Sequence, residues 1–249
     1  AAVNALMPGM EPVVGIRESV YFEIQDYSLI LCCSEHYGRI PFALSFGEDS
    51  LVQLRSMVRF GMNAVFLHDG IYLSEAGVQL IPGEIDLCCG DDSVLAPLFR
   101  TFADACRTQN LPLCTQTLLC MLGLGQGLTP SADDRILGFI YAFVRAEPTG
   151  VFKTELCRII SELSRERTGA ISHTYLNAVC ENKEFQLLQN LYESILQKRD
   201  LRADIYRLTG VGNTSGKEMV KGMLLYFGTV HHQKISMEDI YLKYQEGTI

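Results

Sequence analysis

Apolar residues along the first 90 positions come in short runs: Val20–Ile24, Leu29–Cys33, Phe42–Phe46 and Ala64–Leu67, with His68-Asp69-Gly70 as a hairpin turn into Ile71-Tyr72-Leu73. Runs of this length, rich in β-branched and aromatic residues and bounded by polar clusters, predict strands. One interruption, from Ser50 to Phe60, carries Leu51, Leu54, Met57 and Val58 at helical spacing and predicts a short helix. The period changes at Asp91-Asp92-Ser93. Beyond it Leu95, Leu98, Phe99, Phe102 and Cys106 make one amphipathic stripe, and further helices are expected over 131–146, 151–166, 170–181, 184–198 and 215–229. Glu147-Pro148-Thr149-Gly150 punctuates two of them. The pattern therefore predicts an α+β chain. Residues 1–90 would form a small β-barrel or curled antiparallel sheet, and residues 91–249 an α-helical bundle.

Two glycine-rich stretches stand out within the helical half. In Gly123-Leu124-Gly125-Gln126-Gly127-Leu128-Thr129-Pro130-Ser131-Ala132-Asp133-Asp134, three alternate glycines lead into a helix start. Glycine permits positive φ and close backbone approach, while Thr129, Pro130 and Ser131 offer a cap, a preset φ and a second hydroxyl. Ile136, Leu137, Ile140, Tyr141 and Val144 follow at helical spacing, and Gly138 on the same face points to a closely packed neighbour. Asp133 and Asp134 in the first turn would either answer the helix dipole or hold a hard cation, Mg²⁺ in preference to Zn²⁺. The lysine of a phosphate-binding Walker loop is missing, and Thr115–Leu122 before the glycines reads as the end of a helix rather than the strand a dinucleotide fold requires.

The second stretch, Thr209–Glu218, places Asn213, Thr214, Ser215 and Gly216 at the start of a helix with Met219, Met223, Leu224 and Phe227 as its buried stripe, and Gly222 and Gly228 allowing close packing. Lys217 reads as a solvated charge. Two such tips could face one pocket. A third patch, Arg165–His173, sets Arg167 as a fork for carboxylate or phosphate, Thr168 and Ser172 as cap and pocket-lining hydroxyls, and His173 as the nearest imidazole.

Taken together, GLGQGLTPSADD, RTGAIS with TYLNA, and GVGNTSGKEMVKG resemble a bacterial family first described as a domain of unknown function, which includes the AllH-like subunit of oxamate carbamoyltransferase in anaerobic allantoin catabolism, a purine-degradation route. Ala132 stands where that family usually has glycine, and Asn213 where a histidine is common. The resemblance implies a subunit of a multi-subunit enzyme acting on a small anionic amide, with oxamate, oxalurate and carbamoyl phosphate as candidates. Gly125, Gly127, Thr129 and Ser131 would then bind oxyanions. Asp133 or Asp134 would accept a proton or hold Mg²⁺, and Asn213, Thr214 and Ser215 would complete the pocket. Loss of the imidazole at Asn213 suits a second possibility, a non-catalytic assembly or metabolite-sensing partner of a larger enzyme.

Composition narrows the remaining classes. With 249 residues, 48% hydrophobic and 20% charged, the chain can bury a substantial core. A net charge of −8 with scattered lysines and arginines gives no footprint for nucleic acid. No apolar run is long enough to span a membrane and no signal segment opens the sequence, so a cytoplasmic protein is expected. The nine cysteines include no Cys-x-x-Cys pair, and Cys32-Cys33 and Cys88-Cys89 sit in apolar runs, so they read as small buried hydrophobes. His231-His232 reads as surface. Gly-x-Ser-x-Gly is absent, against a serine hydrolase.

Overall fold

The strand-forming runs of the first part do pair, but not as a barrel. A computed structural model describes residues 11–16, 19–24, 28–41, 43–57, 63–67, 70–74, 92–125, 127–147, 149–212 and 214–230. The chain divides into two compact units, Ala1–Asp86 with Glu184–Leu187, and Leu87–Lys183 with Leu188–Ile249.

In the first unit β1 (Glu11–Ile16), β2 (Ser19–Ile24), β3 (Ser28–Ser34) and β4 (Ala43–Phe46) lie side by side in that order. The first three run antiparallel, with Tyr21 opposite Leu31. Pro12 lies on β1 opposite Phe22, and the register slips between Pro12 and Val14. The fourth strand departs from the expected antiparallel sheet: β4 runs parallel to β3, with Leu31 beside Ala43 and Ser34 beside Phe46. Because β4 pairs only with the last four residues of β3, the short connection 35–42 suffices to bring the chain back. Among the described residues β1 and β4 are the outer strands, so the sheet is open and mixed. Cys32 and Cys33, on opposite faces of β3, are both buried. Leu51 and Leu54 form the buried stripe of α1 (Glu48–Met57). A separate antiparallel hairpin joins β5 (Asn63–Leu67) to β6 (Gly70–Ser74). Its connection at 68–69, Cys88-Cys89 and His231-His232 lie outside the described residues.

The second unit is built from α2 (Asp92–Arg107), α3 (Leu111–Met121), α4 (Ser131–Ala146), α5 (Val151–Arg167), α6 (Ala170–Cys180), α7 (Gln186–Leu196, of which the first two residues belong to the first unit), α8 (Arg202–Thr209) and α9 (Ser215–Thr229). The helix end expected at Thr115–Leu122 is the end of α3, which starts at Leu111, where Asn110 caps it by accepting the Leu113 N–H at 3.2 Å. Helix α8 is two turns long, too short for periodicity to reveal. Cys106 and Cys114 are buried with their sulfurs 3.8 Å apart, whereas Cys120, against expectation, is exposed.

Helix α4 is the centre of this unit. Every residue from Ser131 to Val144 is buried, as befits a helix wrapped on all sides. It packs against α6 and, most closely, against α9. The crossing with α9 has no room for side chains. A Cβ on Gly138 would lie 1.9 Å from the Met219 carbonyl oxygen, and one on Gly222 would lie 2.0 Å from that of Arg135. Each glycine costs its helix about 1 kcal/mol relative to alanine, and close backbone packing offsets that cost. Next to the crossing Phe139 sits between Phe102 at 5.3 Å and Tyr226 at 5.5 Å, the latter edge to face. Gly228 differs from the expected pattern, since a Cβ there would meet nothing within 4 Å. Among the described residues, no helix is long and apolar enough to cross a membrane.

Two substitutions on one helix should therefore move stability in opposite directions. Gly222→Ala is expected to lower the unfolding free energy by about 3 kcal/mol through overpacking, whereas Gly228→Ala should leave it unchanged or raise it by up to about 1 kcal/mol. Urea denaturation of both variants checks the contrast.

Candidate functional site

The first glycine loop is shaped by what presses on it. Gly123, Gly125 and Gly127 all have positive φ, at 80°, 128° and 92°. At the first two the space is also closed: a Cβ on Gly123 would lie 2.2 Å from the Arg167 carbonyl oxygen, and one on Gly125 would lie 2.6 Å from the Ser131 nitrogen. Gly127 is exposed with open space beside it, so only its φ calls for glycine there. The loop is thus wedged between the end of α5 and the start of α4. Ala132 donates its N–H to the Leu124 carbonyl at 3.1 Å and lies in helical conformation, so its methyl group is accommodated where the resembling family has glycine.

Asp133 fixes this arrangement. One carboxylate oxygen accepts the Gly123 N–H at 2.8 Å, and the other accepts the Thr168 hydroxyl, which ties the loop to the connection between α5 and α6. Ser172 lies on the same side, near enough to favour the charged carboxylate but without a well-formed hydrogen bond. Burial outweighs these favourable contacts and pushes the Asp133 carboxyl above its ordinary range.

The expected hydroxyl cap of α4 is not made. Pro130 occupies the cap position, with no side chain to bond, and Thr129 turns elsewhere. Its hydroxyl lies 3.0 Å from that of Ser215, 86 residues on, so the two glycine-rich helix tips meet. Thr214 is the cap residue of α9, also without a side-chain bond. Gly216 holds that tip against α8, since a Cβ there would lie 1.7 Å from the Leu208 carbonyl oxygen, and its N–H is spent on Val211 at 3.0 Å. Asn213 lies outside the described residues.

Beside the meeting point is Asp134, only 2% exposed. The Thr129 and Ser215 hydroxyls favour its charged form, but its Oδ2 has no hydrogen-bond partner, and no cation pairs with it among the described residues. Burial, together with the neighbouring charges of Asp133 and Glu218, holds its carboxyl well above the ordinary value. Glu218 itself is satisfied: Arg135 Nε donates to it at 2.6 Å and Lys221 Nζ at 2.7 Å, while the Arg135 guanidinium lies 5.2 Å from the Phe99 ring centre. Sequence reasoning passed over this buried network. Arg135 shares a helix face with Gly138, and Glu218 shares one with Gly222, so each charge sits where two backbones meet and must find a partner; that spacing was the available signal.

His173 is held in place within the helices. Its Nε2 accepts from the Asn177 amide at 3.1 Å, which leaves Nδ1 to donate to Ser164 at 2.8 Å, and Ser164 in turn donates to the Ser161 carbonyl at 3.2 Å. Burial, and then the Arg165 charge, lower its pKa, in keeping with a neutral ring. Arg167 and Lys217 are exposed. The structure therefore gathers Gly123, Gly125, Thr129, Ser131, Asp133, Asp134, Thr168 and Ser172 with Ser215 and Gly216 around the two tips. Of the two adjacent acids, Asp133 has a hydrogen bond on each oxygen, whereas Asp134 keeps one oxygen without a hydrogen-bond partner.

Residues 121–227 match the family model described as oxamate carbamoyltransferase subunit AllH, which bears out the resemblance over that segment. The matched segment contains both glycine-rich tips, Asp133, Asp134 and Glu218. No curated protein and no solved structure matches the chain.

The Asp134 carboxyl gives a pH signature whose sign follows from linkage. Its pKa is raised on folding, so the folded chain retains a proton that the unfolded chain releases near pH 4; its contribution is fullest below that value and is lost as pH rises toward the folded pKa. Asp134→Asn removes that loss. The melting temperature of the variant relative to the parent should therefore increase between pH 4 and pH 7 in parallel calorimetric scans; a difference that stays constant with pH would contradict a buried, uncompensated carboxyl.

Proposed function

We propose that this chain is a subunit of a carbamoyltransferase-type enzyme and that it holds a small anionic amide, oxamate or oxalurate with carbamoyl phosphate, at the junction of the α4 and α9 tips. The observation that carries this reading is the contact of Thr129 with Ser215 beside the unpartnered Asp134 oxygen, all inside the segment that matches the family. In such a transfer the oxamate nitrogen forms a bond to the carbamoyl carbon, the bond from that carbon to the phosphate oxygen breaks, and a proton leaves the nitrogen. The products are oxalurate and phosphate. Thr129, Ser215 and Asp134 would orient the amide, while Asp133 holds the loop.

Other chains of the enzyme have a place in this account. Asp133, Glu218 and His173 are all committed to internal partners, so few groups remain for proton transfer. That commitment favours chemistry completed by further subunits, and at its limit a non-catalytic role in assembly or metabolite sensing. The setting we propose is cytoplasmic allantoin catabolism.

The test is oxalurate formation from oxamate and carbamoyl phosphate, followed by chromatography, with the chain alone and with its companion subunits. Turnover that requires the companions, and falls about tenfold with Ser215→Ala through loss of roughly 1.4 kcal/mol of substrate contact, is the expected outcome. Unchanged turnover in that variant would remove the junction from the reaction.

A further inference from the structure

We propose that Asp134 receives an N–H of the bound substrate, so that the nitrogen end of a primary amide, rather than an oxyanion, is seated at the junction of the two helix tips. This deepens the carbamoyltransferase reading and rests on it. A helix start ordinarily attracts an anion, but the first turn of α4 already carries Asp133 and Asp134. Asp133 already accepts the Gly123 N–H on one oxygen and the Thr168 hydroxyl on the other. Glu218 is held by Arg135 and Lys221. Of these three acids, Asp134 is the one with a buried carboxyl oxygen that has no hydrogen-bond partner, and the hydroxyls of Thr129 and Ser215 next to it are half-buried. An oxyanion there would be desolvated beside three acids whose favourable donors are already engaged, whereas an N–H would supply a donor to the free Asp134 Oδ2. The carboxylate end of such a substrate then lies away from the three acids.

Oxamate and pyruvate separate the alternatives, because they share charge and shape and differ in an amide against a methyl group. Isothermal titration of the full chain is expected to show oxamate binding about tenfold more tightly than pyruvate, as one well-made hydrogen bond implies. Asp134→Asn should erase most of that preference, and Asp134→Ser serves as a second variant should the first not fold by circular dichroism. Equal affinity for the two compounds, a preference that survives in a folded variant, or oxamate binding that appears only with Mg²⁺ would each overturn the proposal while leaving the carbamoyltransferase reading in place. Binding of none of oxamate, oxalurate and carbamoyl phosphate would overturn that reading and this inference with it.

Discussion

The close crossing of α4 and α9 through Gly138 and Gly222 is the constraint from which the rest of the second unit follows. With backbone against backbone at two points, neither helix can slide or rotate without a steric clash, and both N-terminal tips are carried to the same place. The contact of Thr129 with Ser215 is a consequence of that crossing rather than its cause, since a single hydroxyl pair contributes only about 1 kcal/mol. The ion pair of Arg135 with Glu218 spans the same two helices and sits just behind the tips. It adds register to a contact that packing alone already holds, and its desolvation cost makes it poor evidence of stability by itself.

Adjacent acids at the start of α4 have come to different ends. Asp133 is consumed by structure, accepting one backbone and one hydroxyl donor and so fixing a loop whose glycines admit no other conformation. Asp134 keeps one oxygen without a partner in a place where desolvation is expensive. Buried polar groups without partners are uncommon in folded proteins, and those that persist are often where a ligand completes the bonding. The imidazole of His173, which its position in the sequence made a candidate, instead bridges Ser164 and Asn177 as a neutral ring.

Much of this was legible in the sequence where a strong period or a backbone constraint wrote it. The helix at 131–146 and the close approach at Gly138 were both apparent, because a long apolar stripe requires a buried helix and a glycine on that stripe leaves space for a neighbouring backbone. Parallel pairing of β4 with β3 was not, since strand direction depends on how the 35–42 connection folds and leaves no mark on the alternation of side chains. The end of helix α3 was legible at 115–122 but its start at Leu111 was not, and Gly228 was misread because a helical position near the packed face is not always in contact. The capping role given to Thr129 failed for a tertiary reason: a hydroxyl from a residue 86 positions away competed for it. The division of labour between Asp133 and Asp134 is likewise a matter of distant neighbours, which no local pattern records.

Convergence of the two glycine-rich tips is the central claim, and a double-mutant cycle measures it most directly. Thr129→Val and Ser215→Ala, alone and together, should show a coupling of about 1 kcal/mol in urea unfolding of the full chain, the value of one hydrogen bond. Additivity within about 0.3 kcal/mol, as found for residues that do not touch, would mean that the tips do not meet and would contradict the account.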